Sequence, residues 1–172
     1  MIRSDKRLAD LNKVLKGGEN DEIEEMIGHL RESDPFQGAL MLLALFYDST
    51  DNEGLKVIIS GFFNDIKDKS VCQEVIDSIA AVKLPGTKAM LASSCWQSGL
   101  DYSDHAVTLA EYYLEGDYVT SLECFTVLDI CSPLINEEDR NHILRRLEEE
   151  SSSRDKARSQ LTRELISALK ER

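Results

Sequence analysis

The spacing of the helix breaks constrains the fold of this chain more than any other feature of its sequence. Amphipathic segments with apolar residues at helical spacing follow one another, separated by short breaks that contain capping residues, glycine or proline. Segments predicted to start near 35, 69, 103 and 137 are 34 residues apart, and others predicted to start near 20, 51, 86 and 118 alternate with them. This spacing predicts a two-helix unit repeated about four times, with an extra helix at each end.

A repeated two-helix unit cannot bury its apolar stripe alone, so neighbouring units have to stack. We therefore expect an all-α fold that forms a single domain over residues 1–172. Its predicted parts are an N-terminal capping helix over residues 1–18, repeats over residues 20–150 and a C-terminal helix over residues 154–171. No segment competes as a strand, because the short apolar run at Val57-Ile58-Ile59 lies inside a helical pattern.

Local signals predict how individual helices begin and which side they bury. Asp34 and Pro35 are typical of the cap and the first position of a helix, so we expect the third helix to start there. The eighth predicted helix follows Asp117 and ends at Pro133. Its apolar pattern predicts four inward residues, namely Leu122, Phe125, Leu128 and Cys131.

Two segments resemble a known repeat family. Residues 34–40 (Asp-Pro-Phe-Gln-Gly-Ala-Leu) and residues 68–75 resemble the Asp-Pro-x-Val-Arg-x-Ala linker and second-helix start of HEAT repeats. The resemblance extends over roughly residues 20–150. It implies an armadillo-type, right-handed α-α superhelix of about four HEAT-like repeats, in which the second helices line a concave side. Tetratricopeptide repeats share the 34-residue period and remain the alternative, since residues 116–118, Phe125 and Pro133 resemble their second half.

The net charge narrows the classes of partner. The chain has 20 basic and 32 acidic side chains and a formal charge of −12. Proteins that bind nucleic acid or anionic lipid need clustered Lys and Arg, so neither a nucleic acid nor a membrane is expected as a partner. The imbalance is concentrated in residues 101–136, which contain 7 acidic side chains and no Lys or Arg.

Acidic side chains recur along one face of two predicted second helices, the fifth and the seventh. The six candidate binding residues are Gln73, Glu74 and Asp77 in the fifth helix, and Asp104, Glu111 and Glu115 in the seventh. Because the family resemblance implies that second helices line the concave side, we expect these residues to form an acidic groove. Crowded carboxylates without a local cation repel one another, and a basic partner relieves that repulsion. The sequence thus predicts a non-enzymatic interaction module or scaffold that receives a basic peptide or protein, with an ordinary solvated face as the alternative.

The sequence contains none of the common motifs for catalysis or cofactor binding. It has no Walker A loop, no Gly-x-Gly-x-x-Gly, no Gly-x-Ser-x-Gly and no His-Glu-x-x-His. Its three histidines lie in different predicted units, and its four cysteines lack the spacing of a metal site and are expected to be buried thiols. We therefore expect no catalytic residue, no metal and no cofactor, and an enzyme of a HEAT-like class is the least favoured alternative.

The two ends of the chain bear on its location and assembly. The N-terminus is charged and lacks the apolar core of a signal peptide, and the longest apolar run has 9 residues, where a membrane span needs about 20. These features predict a cytoplasmic protein with reduced thiols. The last predicted helix has an apolar stripe at Leu161, Leu165 and Leu169 and is rich in Arg. This helix caps the array, packs on a second copy or binds the acidic groove of its own chain, so a homodimer or structural homo-oligomer assembled through it is a further alternative.

Overall fold

The computed structural model describes residues 4–150 and 156–171, and within them the protein is helical. Helices account for 80% of the described residues, which contain no strand, and this confirms the all-α prediction. The described residues form ten α-helices: α1 (Asp5–Gly17), α2 (Asn20–Glu32), α3 (Ala39–Ser49), α4 (Glu53–Asn64), α5 (Cys72–Ala81), α6 (Pro85–Gln97), α7 (Ala106–Glu115), α8 (Tyr118–Cys131), α9 (Glu137–Glu150) and α10 (Lys156–Lys170).

Side-chain caps define the start of several helices. Asn52 precedes α4 and its carbonyl oxygen accepts the N–H of Leu55 at 3.1 Å, while Asp117 precedes α8 and accepts the N–H of Thr120 at 2.9 Å. Both bonds satisfy backbone donors that have no partner inside the helix. The predicted start of the eighth helix after Asp117 is confirmed.

The predicted start of the third helix at Asp34-Pro35 is wrong, because α3 begins at Ala39. Gly38 lies before it with φ of +93°, in the left-handed region that an α-helix cannot include. A Cβ atom added to Gly38 would also lie 2.9 Å from Cδ1 of Leu8 on α1. The chain therefore turns at Gly38 and lies close to α1 there, which delays the helix.

Local structure repeats with the predicted period at α5 and α7. Each helix has ten residues and directly follows a three-residue 3-10 helix, Lys69–Val71 or Ser103–His105. An aspartate starts each 3-10 helix: Asp68 accepts the N–H of Ser70 at 2.8 Å, and Asp101 accepts that of Ser103 at 2.9 Å. The predicted starts near 69 and 103 are therefore confirmed as starts of helical structure.

Contacts among the helices divide the chain into two compact units, residues 1–100 and residues 101–172. In the first unit α1 packs on α2, α3 on α4, and α5 on α6. The three pairs stack, with α1, α3 and α5 in successive contact in one layer and α2, α4 and α6 in the other. The side chains at the centre of this unit include Ile27, Leu43, Ile59, Phe63, Val75, Leu91 and Cys95.

The link lengths explain this pairing. Within a pair the link has two or three residues, whereas six residues separate α2 from α3 and seven separate α4 from α5. Short links force consecutive helices to be antiparallel neighbours. The pairs therefore start at α1, whereas the sequence predicted two-helix units that start at the second helix.

In the second unit α7 packs on α8 and α9, and α10 packs on α8 and α9. The leucine stripe of α10 lies inside this unit, since Leu165 and Leu169 are buried, and the hydroxyls of Tyr113 and Thr162 are hydrogen-bonded at 2.8 Å. The apolar stripe predicted for the C-terminal helix is thus buried within one protomer. Assembly through this helix stays a prediction, and so does the single domain.

Some predicted boundaries fall on residues 1–3 and 151–155, outside the part of the chain that the structure describes. They are the start of the N-terminal capping helix at residue 1 and the start of the C-terminal helix at residue 154. Among the helices that are described, none combines the length and the apolar character that a bilayer crossing requires.

Candidate functional sites

An open cleft of about 450 Å³ lies between the start of α3 and the exposed side of α5. Three of the six predicted binding residues line it, together with three residues from α3 and the turn before it. The lining residues are Gln37, Gly38, Met41, Gln73, Glu74 and Asp77. The structure therefore brings the predicted residues of the fifth helix together at one cleft, and none of the six lining residues is basic.

Glu74 forms the base of this cleft. It is only 7% exposed, and its carboxylate accepts three backbone N–H groups: Oε2 from Gly38 at 2.9 Å, and Oε1 from Leu40 at 2.7 Å and from Met41 at 3.0 Å. No side chain of the preceding turn caps α3, so Glu74 supplies the cap from α5. A negative charge at this position also interacts favourably with the positive end of the helix dipole. The local role of Glu74 is therefore to join α5 to the start of α3.

Gln73 and Asp77 form the exposed rim. Nε2 of Gln73 donates to Oδ1 of Asp77 at 2.8 Å across one turn of α5. Both side chains are exposed, and the apolar side of the cleft is Met41, whose sulfur accepts the hydroxyl of Ser78 at 3.8 Å. Asp77 thus presents a carboxylate to solvent, held in place by a neighbouring amide.

In the second unit Glu111 is paired with a cation from another helix. Nε and Nη2 of Arg146 on α9 each donate to one carboxylate oxygen of Glu111 at 2.9 Å, and Nη1 of Arg146 donates to Glu149 at 3.2 Å. The hydrogen bonds from Arg146 hold the pKa of Glu111 below its ordinary value, against a smaller opposing effect of burial. The expectation that these carboxylates have no local cation is therefore wrong at Glu111.

The other two predicted residues of this unit lie at the two ends of the segment. Asp104 is exposed in the 3-10 helix before α7, and Glu115 is exposed at the last residue of α7. Eleven helical residues span roughly 16 Å. One ligand side chain cannot contact both, so only an extended partner would reach Asp104 and Glu115 together.

The sequence analysis did not identify Arg146 as the cation that pairs with Glu111. The repeat period offers a signal by which this pair could have been predicted. Hydrogen bonds join side chains to groups about one period away: Arg31 to Asp65 over 34 residues, Lys83 N–H to Asp48 over 35, and Arg146 to Glu111 over 35. Stacked helical pairs place residues one period apart in contact. A search for a basic residue one period after each acidic residue would have paired Glu111 with Arg145 or Arg146.

Several acidic residues accept backbone N–H groups at helix starts, so part of their hydrogen-bonding capacity is already used. Asp48 on α3 accepts the N–H groups of Lys83 and Leu84, at 2.9 and 3.0 Å, at the start of α6. Burial raises the pKa of Asp48, but these two donors, the Thr87 hydroxyl and the charge of Lys83 together lower it below its ordinary value. Net charge therefore overstates the acidic surface that a ligand can meet.

A second cleft, of about 430 Å³, lies in the first unit beside Leu30, Phe62 and Val71. Its charged groups are bonded to the protein itself. Arg31 pairs with Asp65, and Nζ of Lys67 donates to the carbonyl oxygen of Ser98 at 2.7 Å. These contacts hold the links between helices together.

The thiols and the metal-binding residue types form no reactive cluster in the described part of the chain. The four cysteines are free and buried, as predicted. Burial, with a contribution from the charge of Glu123, raises the pKa of Cys124 to about 12, so that this thiol stays protonated near neutral pH. Among the described residues, no group of three or more His, Cys, Asp or Glu side chains is placed to hold a metal ion.

Comparisons with protein-family models, with curated proteins and with solved structures find no match to this chain.

Proposed function

We propose that this chain is a non-enzymatic protein-interaction module or scaffold, built as the HEAT-like, right-handed α-α superhelix that the resemblance of residues 34–40 and 68–75 implies. It receives a basic peptide or a basic segment of a protein. The stacked helical pairs of each unit and the contacts between residues one period apart support the repeat architecture. The observation that carries the binding proposal is the cleft between α3 and α5, with Asp77 at its rim.

The chemistry of this cleft suits an arginine or lysine side chain. The carboxylate of Asp77 accepts charge-assisted hydrogen bonds, and the side-chain carbonyl oxygens of Gln37 and Gln73 offer further acceptors. The aliphatic stem of a long basic side chain packs on Met41. The negative charge of Glu74 at the base adds attraction for a cation, although its oxygens are occupied by the backbone of α3.

In the second unit, Asp104 and Glu115 are the predicted residues best placed to attract a basic partner. Both are exposed, and Glu111, which is paired with Arg146, is half-buried. Exposed carboxylates act over several ångströms and accelerate the encounter with a partner of opposite charge. Their contribution decreases as salt screens it.

The test is the binding of a short labelled peptide of arginine and serine, followed by fluorescence anisotropy at low and high salt. The variant Asp77→Lys replaces the rim carboxylate with a repelling cation, and we expect it to weaken binding about tenfold or more. Glu24→Lys makes the same charge change at an exposed residue of α2 and is the matched control.

Circular dichroism of both variants checks that the fold is intact. Equal weakening by Asp77→Lys and Glu24→Lys would mean that net charge alone attracts the peptide, and it would count against the cleft. A peptide of glutamate and serine should not bind at either salt concentration.

A further inference from the structure

Helix α8 presents an apolar face to solvent. Leu122 is 37% exposed, so its predicted inward position is wrong, while Leu128 and Cys131 are buried as predicted. The large apolar residues exposed on α8 and on the turn after it are Tyr118 (51%), Val119 (51%), Leu122 (37%), Ile130 (56%) and Leu134 (63%). Exposed apolar side chains gathered on one helix indicate a contact surface, whereas scattered ones do not.

Three of these residues, Val119, Leu122 and Ile130, lie on one face of α8. Val119, Leu122, Thr126 and Ile130 follow the spacing i, i+3, i+7 and i+11, which places them on one face of α8. The hydroxyl of Thr126 donates to the carbonyl oxygen of Leu122 at 3.0 Å, so the stripe has no open donor there. The stripe is roughly 16 Å long on α8, or about three turns.

The other side of α8 belongs to the core. Ser121, Cys124, Leu128 and Cys131 are buried, and α8 packs on α7 and α10 through that side. A helix that is apolar on both sides is normally covered on both sides. The exposed stripe therefore has the composition of an interface.

The charged side chains of α8 and of the residue before it are all negative. Asp117 lies at the start of α8, and Glu123 and Asp129 are the residues next to Leu122 and Ile130. Residues 101–136 contain no Lys or Arg. The complement of this surface is an apolar stripe flanked by basic side chains.

A second copy of this chain does not supply that complement. Pairing the same face in a two-fold dimer would bring carboxylates against carboxylates. The most basic helices in the described chain are α1, with four basic and two acidic side chains, and α10, with four and one. Both already bury their leucines within their own units, as shown by Leu11, Leu15, Leu165 and Leu169.

We propose that the exposed face of α8 binds an amphipathic helix of another protein, with an aliphatic stripe against Val119, Leu122 and Ile130 and with lysine or arginine on its flanks. This is helix-on-helix recognition read through side chains at i, i+3, i+7 and i+11. A segment of about three turns is marginally helical alone in water, so the partner becomes ordered as it binds. The surface is separate from the cleft between α3 and α5, and this proposal does not rest on that cleft.

The test uses a labelled synthetic peptide with leucines at i, i+3, i+7 and i+11 and lysines on its flanks. A second peptide has the same composition with the leucines shuffled out of one face, and a third replaces each lysine with glutamate. We expect the full-length chain to bind the first peptide about tenfold or more tightly than either of the others.

The variant Val119→Ser/Ile130→Ser removes apolar side chains that are exposed in the free protein, so the fold should be retained. We expect it to weaken binding of the leucine-lysine peptide about tenfold or more. Val57→Ser removes an aliphatic side chain that is 71% exposed on α4, and it should leave the affinity unchanged. Glu24→Lys, which reverses a charge at an exposed residue of α2, should also leave it unchanged, so that net charge alone does not explain the binding.

An unaltered affinity of the Val119→Ser/Ile130→Ser variant would overturn the proposal, and so would equal binding of the lysine and glutamate peptides. Light scattering gives the remaining outcome. A dimer of the wild-type chain that this variant abolishes would assign the face to a second copy and would also overturn the proposal.

Discussion

Glu74 in the first unit and Glu111 in the second are carboxylates of equivalent helices, α5 and α7, that begin 34 residues apart. The sequence assigns both to the same acidic face, and the structure gives them different partners. Glu74 is buried and accepts three backbone N–H groups, whereas Glu111 is half-buried and is paired with a guanidinium. Two carboxylates predicted to line one acidic groove therefore differ in burial, and the partner of each determines what the side chain does.

The difference also separates two kinds of electrostatic stabilisation. The backbone donors beside Glu74 are fixed by the turn at Gly38 and lose their partner entirely if the carboxylate is removed. Arg146 keeps a second acidic neighbour, Glu149, and access to water if Glu111 is removed. We therefore expect the first unit to be more sensitive to loss of its carboxylate than the second.

The largest effect is expected for Glu74→Ala. Three donors at the start of α3 lose their acceptor, which should lower the free energy of unfolding by about 3 kcal/mol. Urea denaturation followed by circular dichroism measures this loss. Glu74→Gln keeps one acceptor oxygen and should lose roughly half as much, and a loss below about 1 kcal/mol for the alanine variant would contradict the capping role.

A smaller effect is expected for Gly38→Ala. The substitution places a Cβ atom in the left-handed region and near Leu8, so it should cost about 1–2 kcal/mol. Gly28→Ala is the matched control, because nothing lies within 4 Å of the added atom inside α2 and alanine favours a helix. The midpoint temperature of thermal unfolding should therefore fall for Gly38→Ala and rise for Gly28→Ala. A change in the same direction for both variants would contradict the strained turn.

For the second unit, Glu111→Gln should lower the free energy of unfolding less than Glu74→Ala or Gly38→Ala does, and its effect should depend on pH. Because the folded-state pKa of Glu111 is lowered, its contribution to stability is fully present above the ordinary value of 4.5 and is lost as the pH falls through the lowered pKa. Unfolding curves of the wild type and the variant should converge in acid and separate near neutral pH. A difference that grows on acidification would contradict the pairing with Arg146.

The smallest effect on stability is expected for Asp77→Asn. The side chain is exposed and its described bond is to Gln73, so the free energy of unfolding should change by no more than about 0.5 kcal/mol. Binding of the arginine-serine peptide should nevertheless weaken. Urea denaturation and anisotropy on the same preparation measure both properties, and a large loss of stability would place Asp77 with Glu74 as a structural residue.

Helical periodicity was sufficient to predict the fold class and the 34-residue spacing, because both depend on short-range patterns. The start of α3 was not predictable from Asp34 and Pro35, since the cap of this helix comes from Glu74, far along the chain. The exposed side of α8 was also missed. A helix that is apolar all round gives no periodic signal that distinguishes its buried side from its exposed one.

The pairing of helices could have been predicted better. The short break at Gly18 and Glu19 joins antiparallel neighbours, whereas the longer segment from Ser33 to Gly38 connects successive pairs. Of the candidate site, the grouping of Gln73, Glu74 and Asp77 on one helix followed from their spacing. Their different burial did not, because it depends on the approach of α3.

The bond network of Glu74 has a consequence for how the chain folds during synthesis. The backbone N–H groups of Gly38, Leu40 and Met41 leave the ribosome well before Glu74, the residue whose carboxylate accepts them. The first turn of α3 is therefore capped only after α5 has been synthesised. The hairpin of α3 and α4 is in this way completed by the hairpin of α5 and α6, and order in the first unit should propagate from one to the next, as in a one-dimensional cooperative chain.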